Sequence, residues 1–436
     1  MRYVGQALSL AGNRLSPVAV ALVMIVAGAT PSCAAGQPVT LGKADRAAAI
    51  DAIVRGITAN YVFADLRASL VARLRTAAKH HRYDTADPAE FAERVTADLA
   101  TVSRDGHLYL RNDPARYAAA LAPPTSDTGL AAFARTQALR EHHGLTEQAI
   151  LPGNIRYLKI TGFKWVPDGS TARAYDQAAA FLADGDAIIL DLRGNGGGES
   201  DAADTCLDTI VRRLGGTRPF YILVDGLVGS AAEAVAYSAK LEKRAIIVGT
   251  RTFGAANNNR LLPIAPSFIL SVSYNRPIHP LSGTNWEGVG VTPDLVSEPR
   301  LASEVAQQAA LKRLAAAPGV PFDRLAQYRW RSSLLDARID PPVVTDAALR
   351  GYAGRYGPIE IRYAEGRLRL YREDRPRWPQ GAILTPLTGD GRFALEGVDA
   401  IRARLFGNTL EIYRPDGGQP DVFKRQVTIM RAESSL

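Results

Sequence analysis

Four short runs, NIRYLKI (154–160), AIILDLR (187–193), FYILVDG (220–226) and RAIIVGT (244–250), are rich in β-branched and aromatic residues. Helix-like segments such as ARAYDQAAAFLA (172–183), ESDAADTCLDTIVRRL (199–214) and AAEAVAYSAKLEK (231–243) separate them. Strands alternating with helices in this way require crossover connections, and crossovers give a largely parallel sheet covered by helices. An all-helical or all-β fold is thereby excluded for the middle of the chain.

The flanking regions differ in pattern. From Lys43 to about Val102, apolar residues recur at three- and four-residue intervals in three successive stretches, and DTADPAEF supplies acidic residues and a proline where a helix should start. These helices lead into a short strand, HLYL. The stretch 112–151 is less regular, with an exposed turn expected at APPTSDTG (122–129). LASEVAQQAALKRLAAA (301–317) reads as a helix closing the middle domain. Beyond Asp346 the period changes to two, with a hairpin around Glu365-Gly366 and further short strands, as in a small antiparallel β domain. The expected division is a leader over 1–35, a helical domain over 36–112, an α/β core over 113–318, a linker over 319–345 and the β domain over 346–436.

With 436 residues, the chain exceeds one ordinary domain. Its 47% hydrophobic and 22% charged residues are those of a protein able to bury real cores. The net charge of +8 comes from interleaved basic and acidic residues, without a dense basic run carrying aromatics, so no nucleic-acid partner is expected. Arg2 and Arg14 precede an apolar run from Val18 to Ala29, and small residues follow to Cys33-Ala34-Ala35. This is the pattern of a secretory leader cleaved after Ala35, and the run is shorter than the roughly 20 residues of a spanning helix. A periplasmic or extracellular protein without a membrane span after cleavage is expected; lipid attachment at Cys33 is the weaker option, because Thr30 stands where such a site usually wants Leu. Only Cys33 and Cys206 occur, so the processed chain can have no disulfide framework, and Cys206 reads as a small core residue.

Two strand-to-helix turns carry the residues of chemical interest. In DAIILDLRGNGGGES, glycines fill the turn and permit close approach of another backbone or a ligand. Glu199 occupies the position where a dinucleotide fingerprint needs its last glycine, so no nucleotide cofactor is expected. In DGLVGSAAEAVAYSAK, Ser230 stands at the second boundary among small residues. A serine there is commonly an N-cap, and Glu233 completes a capping box. As a nucleophile it needs a base and oxyanion donors. The Ala231 N–H and the amides of Gly196 or Gly197 are available if the two turns lie side by side. His80/His81 and His142/His143 fall in polar segments and His279 in NRPIHPLSG, whereas His107 in SRDGHLYL stands between a polar turn and an apolar strand. A lone histidine there is structural or a base. No His/Cys/carboxylate spacing suggests a metal site.

Taken together, AIILDLRGNGGG, GSAAEAVAYSAKLEKRAIIVGTRTFGAANN and NWEGVGVTPD resemble, in order and spacing, the core of the C-terminal-processing-peptidase superfamily, which includes the tricorn protease core and the interphotoreceptor retinoid-binding protein modules. ITANYVFADLRASLVARL and ADLATVSRDGHLYL resemble the retinoid-binding-protein branch, and the likeness covers roughly Ala47 to Leu314. It implies a crotonase-like parallel-sheet core with Ser230 at the nucleophile position. The lysine that follows TFG in one branch is replaced by Ala255, so the Ser–Lys dyad is absent, and Lys240 and Lys243 do not match it. The tricorn-type pattern implies His107 as base and Glu287, three residues before Gly290, as its carboxylate, with backbone N–H groups of Gly197 and Ala231 facing the oxyanion. Gly106 replaces the serine which in that pattern links the histidine to the glutamate. The resemblance implies a secreted serine peptidase acting on peptide or protein substrates through an acyl-enzyme. The alternatives are a binding module for apolar ligands such as a retinoid or fatty acid on the same fold, or an envelope scaffold.

Overall fold

The central element is a six-stranded sheet in the order Leu145–Leu151, Ile155–Ile160, Ala187–Asp191, Phe220–Val224, Ile246–Gly249, Leu295–Val296. The first pair is antiparallel and every later pair parallel. These positions come from a computed structural model that describes residues 40–121, 130–216, 218–372 and 381–426. The leader expected over 1–35 and the turn expected over 122–129 lie outside the described residues. Among the described residues the chain is a mixed α/β structure with three sheets.

All five residues of Ala187–Asp191 and of Phe220–Val224 are buried, because a parallel strand covered on both faces has no side left for water. Alternate side chains therefore enter different cores. Ile188, Leu190 and Ile222 pack with Ala178, Cys206 and Ala236 from the helices Ser170–Ala183, Ser200–Cys206 and Ala231–Leu241. Cys206 is fully buried there, and burial holds its thiol well above the usual range, as suits an inert packing residue. Ile189, Tyr221 and Leu223 face the helices Ala302–Ala315 and Phe322–Ile339.

That last helix corrects the linker expected over 319–345. FDRLAQYRWRSSLLDARI runs for 18 residues, with Tyr328, Leu334 and Leu335 buried and the Tyr328 hydroxyl donating to Asp186 at 2.8 Å. Its buried positions are few and interspersed with arginines, whose long stems cover surface while their charged heads stay wet. A sparse stripe of this kind does not read as a helix without its partner.

The helices Lys43–Asn60, Ala64–Lys79 and Pro88–Ser103 form the expected bundle. Asp87 starts the third by accepting from the Ala89 N–H at 2.8 Å, with Pro88 at the first helical position. Their core contains Ile53, Leu70, Phe91 and Leu99, and also Leu110, Phe268 and Leu270. The last three come from a second sheet, ordered Tyr109–Asn112, Phe268–Asn275, Asn258–Ile264. The bundle thus shares its core with a hairpin from the middle of the chain, and the docking brings residues 105–107 against 252–257.

The C-terminal region is an eight-stranded antiparallel sheet in strict sequence order from Gly354 to Lys424. The hairpin pairing Ala364 with Arg367 turns at Glu365-Gly366 as expected. A bridge between Tyr356 and Arg425 joins the two ends, so the sheet is a near-closed barrel around Ile361, Leu370, Phe393 and Leu405. No described helix is long and apolar enough to cross a membrane.

Candidate active site

Parallel neighbours place their carboxyl ends side by side, which is where Ala187–Asp191 and Phe220–Val224 open into the two turns of interest. The buried Asp191 carboxylate accepts from Arg193 N at 2.9 Å, Arg193 Nη2 at 2.6 Å and the Tyr157 hydroxyl at 2.7 Å, fixing where the first turn leaves the sheet. Fully buried Asn195 donates through Nδ2 to the Ile160 carbonyl at 3.1 Å, and its Oδ1 accepts from the Gly197 N–H at 2.9 Å. Its carbonyl accepts from the Gly229 N–H at 3.1 Å, which ties the two turns together. At Gly197, with φ +106°, a Cβ would lie 2.8 Å from the Ser230 Cβ, 2.9 Å from the Gly229 carbonyl oxygen and 3.0 Å from the Ala231 nitrogen. Only a glycine allows that approach.

The two turns therefore meet, but one detail corrects the sequence reading. The Gly197 N–H is already engaged by Asn195 and is not a free oxyanion donor. A local side-chain acceptor two residues upstream captures it, an Asx-type turn. The space over Gly196 is open, with nothing within 4 Å of a Cβ built there. Gly196, the other amide of that pair, is the candidate that remains beside Ala231, whose N–H belongs to the first helical turn and has no intrahelical acceptor.

Ser230 holds φ 52° and ψ −123°. An N-cap residue ordinarily sits in the extended region, so helix capping does not account for this backbone. A non-glycine residue in such a conformation costs of order 1–3 kcal/mol and persists only where its surroundings enforce it. The Ser230 N–H donates to Glu233 Oε2 at 3.0 Å. Fully buried Glu233 also accepts from Thr252 Oγ1, from the Gly254 N–H at 2.7 Å, from the Ala255 N–H at 2.8 Å and from Trp286 Nε1 at 3.1 Å. Burial pushes its carboxyl upward while these donors pull it back. Glu233 thus fastens the Ser230 turn to the 252–255 segment.

The next residues of that segment hold the second half of the site. Glu287 accepts from the N–H groups of Ala256 at 2.6 Å, Asn257 at 2.9 Å and Gly106 at 2.9 Å. Gly106, where the resemblance leads one to expect serine, makes its link to the glutamate through the backbone. A side chain there has little room, since a Cβ would lie 3.0 Å from Phe253 Cε1 and 3.1 Å from the Ala255 Cβ.

His107, Glu287 and Asp105 offer ring and carboxylate atoms all within 4.8 Å of one another. The His107 backbone N–H donates to Asp105 Oδ1 at 2.8 Å. Nδ1 is buried without a partner. Burial lowers the His107 pKa, opposed chiefly by the Asp105 charge. Burial, then the Asp105 charge, raises that of Glu287 against its amide donors. The imidazole is consequently neutral near pH 7, the state a general base needs. Among the described residues, this trio is the grouping whose donor atoms could jointly reach a metal ion; its oxygens are largely committed to N–H groups, which suits orienting an imidazole better than ligating a cation.

The structure thus unites Ser230 with Ala231 and Gly197, and His107 with Glu287, and hangs both groups on residues 252–257. Nδ1 of His107 has no partner, so no hydrogen bond from that atom to Ser230 is formed here. Lys240 points elsewhere, to Asp294 at 2.8 Å and the Thr292 carbonyl at 2.6 Å. Two neighbours escaped the sequence reading. Asp105 had a signal, its position two residues before His107 in a turn. Tyr61 had none: fully buried, its phenol is held well above the usual range by burial and then by Asp105.

Residues 154–297 match the sequence model of Peptidase family S41. That span includes Ser230 and Glu287 and leaves out His107. A curated relative, the carboxy-terminal-processing protease of Bartonella bacilliformis, is 29% identical over 133 residues, covering 25% of this chain and 30% of its own length. The chain therefore matches less than a third of that relative. Among solved structures, the photosystem II D1 C-terminal processing protease shares 16% identity at a TM-score of 0.38, covering 65% of this chain and 100% of that one. The tricorn protease shares 12% at a TM-score of 0.41, covering 60% and 35%.

Proposed function

With residues 154–297 matching peptidase family S41, we propose that this protein is a serine-type peptidase with a crotonase-like core, using Ser230 as nucleophile, His107 as base and no Ser–Lys dyad. The observation that carries the reading is the strained Ser230 backbone, pressed against the glycine turn at 196–198. A carrier of apolar ligands has no use for that strain.

In the proposed reaction, the Ser230 hydroxyl attacks the scissile carbonyl carbon while its proton passes to His107. That step requires the ring to form a hydrogen bond to Ser230 Oγ as substrate fills the site, and catalytic hydrogen bonds commonly tighten only in the complex. Glu287 and Asp105 flank the resulting imidazolium and stabilise it. The Ala231 and Gly196 N–H groups receive the developing oxyanion, each such donor being worth about 3 kcal/mol. The imidazolium returns its proton to the leaving amine, and water then cleaves the Ser230 ester by the same route in reverse. Export to the periplasm or extracellular space is part of the proposal and rests on the leader-like sequence alone.

A fluorophosphonate probe incubated with the purified protein is expected to label Ser230 and to leave Ser230→Ala unlabelled. Equal labelling of both proteins, or of neither, removes the nucleophile assignment. The acid limb of kcat/KM provides a second check. Since burial lowers the His107 pKa, activity should persist below the ordinary imidazole value of about 6.5 and fall only as His107 becomes protonated. Lys240→Ala should leave the profile unchanged; a limb in the amine range, or one abolished by that substitution, excludes His107 as the base.

A further inference from the structure

Between the helix Phe322–Ile339 and the near-barrel lies a cavity of about 440 Å³, lined by Trp330, Leu387, Arg392, Arg402, Arg404 and Tyr413 among others. Its charged wall is built by register. Arg402 and Arg404 are two apart on the strand Val398–Phe406 and so share a face. Arg392 stands opposite Arg404 on one neighbouring strand, and Tyr413 opposite Arg402 on the other. The intervening Ala403 and Leu405 point into the barrel core.

Arg402 is the anomaly. It is 5% exposed, and its guanidinium lies over the Trp330 ring at 4.5 Å. Nη1 donates to the Ile401 carbonyl at 3.1 Å, while Nε and Nη2 are buried without any partner. Those two atoms form one edge of the guanidinium, the parallel pair of donors that matches a carboxylate or phosphate bidentately. Arg404 Nε is likewise buried and unpartnered. The nearby acids are engaged elsewhere: Glu411 lies 3.8 Å from Arg404 and accepts from the Tyr413 hydroxyl, Asp390 lies 3.5 Å from Arg392, and the exposed Asp399 lies 3.3 Å from Arg331. Burial lowers the Arg402 pKa to about 10, which leaves it charged at neutral pH. A buried cation with an unpaired donor edge is expensive unless an anion comes to it.

We propose that this cavity binds an organic anion, its carboxylate or phosphate held by the Nε/Nη2 edge of Arg402 and its apolar body lying against Trp330 and Leu387. The site is separate from the proposed peptidase chemistry and does not depend on it.

Calorimetric titration of the full-length protein with 3-phenylpropionate, phenyl phosphate and the uncharged 3-phenylpropan-1-ol tests this. Saturable binding of either anion at least tenfold tighter than of the alcohol is expected, and the tighter of the two anions identifies the head group. Arg402→Met should weaken anion binding tenfold or more while raising the ligand-free melting temperature, because a desolvated charge has gone. Should that variant not fold, Arg392→Glu, on the exposed side of the wall, should weaken anion binding several-fold at unchanged stability. The alcohol binding as well as the anions, or Arg402→Met melting lower with anion affinity intact, would make Arg402 a structural residue and overturn the proposal.

Discussion

Ser230→Gly is expected to be more stable than the wild-type protein by about 1 kcal/mol and to have lost the proposed peptidase activity, with kcat falling by roughly 10⁴–10⁶. Both halves follow from one conformation. At φ 52° and ψ −123° a Cβ is held where L residues rarely go, and glycine adopts that backbone with little penalty. Under the proposed reading the strain is part of how the hydroxyl is presented at the mouth of the sheet, as in the strained nucleophile turns of α/β-hydrolases. Helix capping predicts the opposite order. A serine that merely caps loses a few tenths of a kcal/mol when changed to glycine and about 1 kcal/mol when changed to alanine, so both variants would fall below wild type. Chemical denaturation of the three proteins decides between them. Glycine above wild type, with alanine below glycine, supports stored strain at a nucleophile; glycine below wild type returns Ser230 to the role of a cap.

Features governed by short-range patterning were legible before any coordinates. The parallel sheet could be read because Ala187–Asp191 and Phe220–Val224 are continuous apolar runs with amphipathic helices between them. The hairpin at Glu365-Gly366 is a local turn signal and lies where expected. The helix Phe322–Ile339 was not legible, because its few buried residues acquire meaning only against the Ala302–Ala315 helix and the sheet. The membership of Phe268 and Leu270 in the N-terminal core was invisible for a related reason: burial partners distant in sequence leave no local periodicity.

At the candidate site, residue types were easier to read than hydrogen-bond assignments. Ser230, His107 and Glu287 could be picked out as candidates, and the approach of Gly197 to Ser230 matches the expectation that two glycine-lined turns meet. The donor was misassigned within its own turn, since a side chain such as Asn195 can take a backbone N–H out of service without altering the pattern of glycines. Asp105 reads as an ordinary turn residue until Glu287 arrives beside it from the far end of the fold.

Glu233→Gln is expected to destabilise the protein by about 3–5 kcal/mol, the range for removing one side of a buried, fully engaged charged group. Glu233 accepts five donors at zero exposure. Glutamine has one acceptor oxygen and turns an NH₂ toward N–H groups that already point inward, leaving several buried donors unsatisfied at about 1–3 kcal/mol each before relaxation. The exposed Glu298, paired with Arg300 at 2.6 Å, is the control; Glu298→Gln should stay within about 0.5 kcal/mol of wild type. A sharper test uses the neighbour. Glu233 holds the amides of Gly254 and Ala255, and Glu287 holds the next two, Ala256 and Asn257. Loosening either end of so short a segment should release part of what the other end holds. The double variant Glu233→Gln/Glu287→Gln should therefore lose less than the sum of the singles, with a coupling of about 1–3 kcal/mol. Denaturant titrations of the four proteins measure it directly. Additivity within about 0.5 kcal/mol would mean that the two carboxylates brace independent structures, and that residues 252–257 do not mechanically join the serine to the histidine.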